Sequence, residues 1–103
     1  MITAKEKNII KNSLNGIDYE KLILFGSRAR GDNRKDSDYD LMVVVSKNIS
    51  IHEKFKIQKI LRTYLAENLM DADVIVKSND EIIKYKNSVG SIVKDARIEG
   101  KEI

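Results

Sequence analysis

A chain of 103 residues with 42% hydrophobic content and no cysteine has material for one compact core, and none for disulfides, thiolate metal sites or a cysteine nucleophile. The formal charge of +3 at pH 7 comes from lysines spread along the chain rather than from a basic block, so no strong nucleic-acid-binding stripe is expected. No run of roughly eighteen apolar residues is present, and the opening "MITAKEKNII" alternates charge with isoleucine, so neither a membrane-spanning helix nor a secretory leader is expected and a cytoplasmic protein is.

Thr3 followed by Glu6, Ser50 by Glu53 and Ser78 by Glu81 have the spacing of capping boxes, and each marks a helix start. The first helix is expected from about Ala4 to Leu14, burying Ile9, Ile10 and Leu14, with Gly16 as a left-handed cap. "KLILF" (Lys21 to Phe25) reads as a strand, followed at Gly26 and Ser27 by a stretch able to start a helical turn. "DLMVVV" (Asp40 to Val45) reads as the next strand. A helix from about Ile51 to Asn68 then carries Ile57, Ile60, Leu61, Tyr64 and Leu65 on one face, with Phe55 beside them as a further packing residue. "DVIV" (Asp73 to Val76) reads as a third strand. Asn79 to Ile98 reads as two short helices interrupted near Ser88 and Gly90, and Gly100 to Ile103 as a short edge strand. The strands are nearly continuous in apolar residues, so the sheet should be covered on both faces or across most of its width. Without proline, repeats or a low-complexity linker, residues 1–103 read as a single α/β domain.

The chemistry gathers in "LFGSRARGDNRKDSDYDLMVVV". Residues two apart in a strand share a face, about 6.6–6.8 Å apart along it, so Asp38 and Asp40 project together and repel. A hard divalent cation removes that repulsion, and magnesium is usually held by one or two carboxylates together with phosphate oxygens. An isolated Asp-x-Asp is more often an ordinary polar strand start, so the surroundings decide. Glycine at Gly26 lets a phosphate approach the backbone, while the Ser27 hydroxyl and the following amides can donate to it. Asp32 and Asn33 stand where a Walker loop needs lysine and a hydroxyl residue, and G-x-G-x-x-G is absent, which rejects both of those phosphate motifs. Arg28, Arg30, Arg34 and Lys35 could attract a triphosphate, with Arg30 or Arg28 as the direct contact. Asp73, preferred to Asp71 because it abuts the apolar run, would lie beside the first pair if the two strands are neighbours.

Gly26-Ser27, then Asp38-Tyr39-Asp40, then an aspartate on a later strand together resemble the nucleotidyltransferases of the DNA polymerase beta superfamily. "GSRARG" with "SDYDLMVVV" on a short chain is similar, more narrowly, to the minimal nucleotidyltransferases (MNT) that pair with HEPN partners. The resemblance implies a small mixed sheet flanked by helices, in which Asp38 and Asp40 ligate magnesium, two ions being expected, and Asp73 completes the site as ligand or base. Gly26, Ser27, Arg28 and Arg30 would bind the nucleotide. The implied reaction moves AMP from ATP to an acceptor hydroxyl and releases pyrophosphate. The acceptor implied is a tyrosine of a HEPN toxin, in a hetero-oligomer in which this chain is the antitoxin. Tyr39 departs from the apolar residue usual at its position. Two other functions stay open on the sequence: neutralisation of a toxin by binding alone, and a transferase half that modifies a small molecule with help from a partner domain. A nucleic-acid polymerase is the least expected, and so is Ser27 as a hydrolase nucleophile, because His52, the single histidine, has no sequence context tying it to Ser27.

Overall fold

The computed structural model describes residues 2–103. In chain order the elements are α1 (Ala4–Asn12), β1 (Lys21–Phe25), α2 (Ser27–Arg30), β2 (Tyr39–Val45), α3 (Ile51–Glu67), β3 (Ala72–Ser78), α4 (Asn79–Tyr85), α5 (Ile92–Glu99) and β4 (Lys101–Glu102). The Thr3–Glu6 and Ser78–Glu81 boxes are reciprocal, each hydroxyl and each glutamate satisfying the other's backbone N–H. At Ser50 only the half from the Glu53 N–H to the hydroxyl forms, at 3.2 Å. Helix α1 stops at Asn12 because Ser13 takes the cap, its N–H donating to the Ile9 and Ile10 carbonyls, and Leu14 is still buried in the turn that follows.

The sheet is mixed, with strand order β3-β2-β1-β4. Strand β1 runs antiparallel to both β2 and β4, whereas β2 and β3 are parallel and joined by α3 as the crossover. Parallel pairing lengthens β2 and β3 beyond their apolar runs, because Tyr39 pairs with Ala72 at one end and Val45 with Ser78 at the other.

Alternation along the strands separates two cores. Leu22, Leu24, Leu41, Val43, Val74 and Val76 face one side and meet Ile10 of α1 and Leu61 and Leu65 of α3. Phe25, Met42 and Val44 face the other and meet Val93 and Ala96 of α5. Both faces are covered, which is why the strand sequences show almost no polar alternation. Tyr39 lies in the first core, its ring beneath the Arg28 guanidinium at 3.9 Å and its hydroxyl donating to the Glu6 carboxylate. The tyrosine at this position therefore has a polar partner for its buried end. Phe55 is not a packing residue: it is 57% exposed, because the buried face of α3 is set by Leu61 and Leu65 and Phe55 falls outside that arc.

The same alternation orients the acidic residues. The odd positions of β2 point toward α1 and α3, so Asp40 lies on the α5 side, while Asp38 immediately precedes the strand and is near enough for its charge to act on Asp40. In β3 it is Val74 and Val76 that point toward α3, which leaves Asp73 on the α5 side as well.

Candidate active site

Asp40 and Asp73 are direct register partners across the parallel β2–β3 pair, and Phe25 opposes Asp40 on the antiparallel side. The carboxylates therefore meet where β1 ends and β2 and β3 begin. Gly26, the next residue after β1, holds φ 73° and ψ −159°, a region open to glycine alone. A Cβ built on it would come within 2.0 Å of the Asp40 Oδ2, so the carboxylate lies directly over this glycine's Cα. Asp38 and Asp73 are exposed and Asp40 is half-buried. Burial raises the Asp40 pKa above its ordinary value, and the negative charges of Asp73 and Asp38 raise it further, with Arg30 opposing and Glu99 adding to the rise.

Among the described residues no three acidic or histidine side chains are gathered closely enough to cage a metal ion by themselves. An open, oxygen-only set is what magnesium accepts, since it keeps waters and substrate phosphate oxygens in its shell. Asp38 and Asp40 fit that use, and the excess negative charge that lifts Asp40 is the charge a divalent cation would balance.

Beside the carboxylates, α2 opens with donors to spare. Among the described residues the N–H groups of Ser27 and Arg28 have no backbone acceptor, while the later N–H groups of the turn bond back to Gly26 and Ser27. These N–H groups and the half-buried Ser27 hydroxyl are donors that could serve an anion. The arginines are already engaged. Arg28 donates from Nε to the Ser37 carbonyl at 2.9 Å and from Nη2 to the Lys35 carbonyl at 3.2 Å, which folds the 31–38 loop back and delivers Asp38. Arg30 pairs with Glu99 at 2.9 Å and Asp32 at 3.2 Å. Arg34 and Lys35 are exposed.

Glu99 was absent from the sequence-based site. It ends α5, accepts the Gly26 N–H at 3.0 Å and reaches Arg30 with its other oxygen. It thus ties the end of α5 to the turn that follows β1, across 73 residues of sequence. No local pattern signals such a contact; only its place beside Gly100, next to an expected edge strand, hints at proximity to β1.

On the far side of Asp40, a cleft of about 820 Å³ runs between α3 and the start of β3. Phe55, Lys59 and Arg62 line its helical wall, and Asp38, Asp71 and Asp73 line the side toward the sheet.

A family model described as polymerase beta nucleotidyltransferase matches residues 7–103. The chain belongs to that family. A Methanocaldococcus jannaschii relative named as a protein adenylyltransferase is 36% identical over 73 residues, covering 64% of this chain and 74% of the relative. Among solved structures, a chain of a toxin–antitoxin complex with AMP-PNP superposes with TM-score 0.63 at 18% identity, covering 93% of this chain and 70% of that one. A nucleotidyltransferase structure from Sulfolobus solfataricus gives TM-score 0.59 at 22% identity, with 93% and 73% covered. A complex of tri-AMPylated Shewanella oneidensis HEPN toxin with MNT antitoxin gives TM-score 0.50 at 14% identity, with 95% and 65% covered. The four-stranded mixed sheet with its flanking helices is the polymerase beta-like nucleotidyltransferase fold. No described helix is long and apolar enough to cross a membrane.

Proposed function

We propose that this polymerase beta-type nucleotidyltransferase acts as one minimal domain that transfers AMP from ATP to a tyrosine hydroxyl of a HEPN-type partner, as the antitoxin of a cytoplasmic pair. The observation that carries the reading is the register of Asp40 with Asp73 immediately beside the Gly26–Ser27 seat. The names of the M. jannaschii relative and of the Shewanella complex support protein AMP transfer as the direction.

Ser27 and the amides of the α2 turn would hold the β- and γ-phosphates, placing the α-phosphorus at the Asp38–Asp40 edge. Asp38 and Asp40 would hold magnesium, two ions being expected, which when bound neutralises charge on the α-phosphate and the leaving group. Asp73, exposed beside Asp40, takes the proton of the acceptor hydroxyl. The acceptor oxygen forms its bond to the α-phosphorus in line as the bond to the bridging oxygen breaks, and that electron pair leaves with pyrophosphate. Gly26 matters because any side chain there would push the Asp40 carboxylate aside. Arg28 and Arg30 serve this reading as builders of the loop and the seat rather than as free phosphate ligands.

The test incubates the protein with α-labelled ATP, magnesium and the HEPN-type protein encoded beside it. Transfer of label, located by mass spectrometry on a tyrosine and lost in Asp40→Asn and Asp73→Asn, is the expected result. Full neutralisation of the partner by both variants, with no label transferred by the wild type, refutes the enzymatic reading and leaves binding alone.

A further inference from the structure

The α3–β3 cleft reaches Asp38 and Asp73 but contains neither Gly26 nor Ser27, and its helical wall has a chemistry of its own. We infer that it is the acceptor channel and that it selects a tyrosine flanked by acidic residues on a polypeptide. The inference rests on the proposed AMP transfer for its catalytic meaning, but not for its binding chemistry.

Position comes first. The phosphate seat at Gly26 and Ser27 lies on the β1 side of Asp40, whereas the cleft lies on the β3 side and contains neither residue in its lining. A nucleotide on the seat would leave the helical wall of the cleft free, and the lining includes Asp73, the carboxylate proposed to receive the acceptor's proton. At about 820 Å³ it takes more than a single side chain, so residues flanking the hydroxyl would lie in it too.

Charge comes second. Phe55, Lys59, Arg62 and Ala66 recur at intervals of three and four along α3 and so form one stripe facing the cleft. Lys54, one turn earlier on the same helix, is bound to Glu81 at 2.6 Å. Lys59 and Arg62 form no ion pair or side-chain hydrogen bond among the described residues. Two uncommitted cations on the helical wall stand across from Asp38, Asp71 and Asp73, which gives the cleft a basic wall and an acidic one. The acidic wall is used by the reacting centre; the basic wall is left for an anionic flank. Arg62 presents the planar fork that matches carboxylates, and the exposed Phe55 ring offers an apolar surface for the acceptor. Two cations are too few for the counterion release that drives nucleic-acid binding, which favours an acidic peptide over RNA.

The test uses two fluorescein-labelled peptides, a tyrosine flanked by glutamate and aspartate and the same peptide with lysines in their place, titrated with the intact protein without nucleotide. The acidic peptide should bind about tenfold more tightly, which corresponds to about 1.4 kcal/mol. The double variant Lys59→Glu with Arg62→Glu should erase or invert that preference while its thermal melt and its affinity for ATP with magnesium stay at wild-type values. Phe55→Ala should weaken both peptides equally. Equal binding of the two peptides by the wild type overturns the inference, as does a loss of ATP affinity in the double variant or displacement of the acidic peptide by single-stranded RNA. Selective binding without label transfer from ATP would keep the channel and sink the proposed reaction. Transfer to the partner's tyrosine with no peptide selectivity would do the reverse.

Discussion

Replacing Gly26 by alanine tests the close approach on which the carboxylate cluster depends. Two costs add. At φ 73° and ψ −159° the backbone sits where only glycine is comfortable, a strain on the order of 1–3 kcal/mol for another residue. The new Cβ would also stand 2.0 Å from the Asp40 Oδ2 and 2.9 Å from its Cγ, so the aspartate must leave its rotamer for roughly 0.5–1.5 kcal/mol more. A sum of about 2–4 kcal/mol lowers the melting temperature by on the order of 10–20 °C in a domain of this size. Because the displaced group is Asp40, affinity for ATP with magnesium should fall together with stability. Gly31→Ala is the control: its φ is +87°, but nothing lies within 4 Å of the added methyl, so only the backbone strain remains and nucleotide affinity should be unchanged. Melts followed by circular dichroism and calorimetric titration with ATP and magnesium read both quantities. A Gly26→Ala protein that melts with the wild type and binds ATP equally well would refute the idea that the glycine makes room for the carboxylate.

Asp40 has a folded pKa above its ordinary 3.8, so its ionisation opposes folding and its cost grows as pH rises through the folded value; Asp40→Asn should raise the melting temperature at pH 7, with the gain vanishing as pH falls toward 3.8, while abolishing transfer. Glu81 behaves oppositely: burial pushes its pKa up, but the bonds from Lys54 and the Ser78 N–H outweigh it and hold the pKa below the usual 4.5, so Glu81→Gln should lower the melting temperature at neutral pH and by progressively less as acid titrates the wild type. Glu99→Ala removes the acceptor of the Gly26 N–H and frees Arg30; ATP affinity should weaken several-fold, whereas Glu99→Gln, which still accepts from Gly26, should restore most of it in the same titration. Leu41, fully buried in the core beneath β2, should cost about 2–5 kcal/mol as alanine, visible in a urea titration as a lower midpoint at unchanged slope.

The strand cores and helix starts were legible because they are written locally, in runs of branched residues and in hydroxyl-to-glutamate spacing. Strand ends were not, since β3 extends through Lys77 and Ser78 only because Val44 and Val45 lie alongside to pair with them. The place of Asp40 could be read from its own strand, Asp38 falls just before that strand and so outside its alternation, and placing Asp73 beside Asp40 needed only that the two strands be neighbours, which the α3 crossover makes them. The exposure of Phe55 is not legible locally, because an apolar residue near a helical stripe looks buried until the arc of contact is known, and here Leu61 and Leu65 set it. Nothing local in the sequence reveals that the Ser37 carbonyl engages Arg28 or that the Glu99 carboxylate engages Arg30. Glu99 itself depends on α5 and β4 folding back onto β1, a relation of tertiary structure alone.

The parallel pairing of Asp40 with Asp73 has a kinetic corollary. Closing that ladder requires the segment between Asp40 and Asp73, α3 included, to collapse onto the sheet before the two strands can zip, and long-range closures of this kind are slow steps in folding. A slip of one residue would flip Asp73 to the opposite surface. Catalytic competence should therefore arise all at once and late during refolding, so recovery of ATP affinity can serve as a clock for the last event in assembling the native sheet.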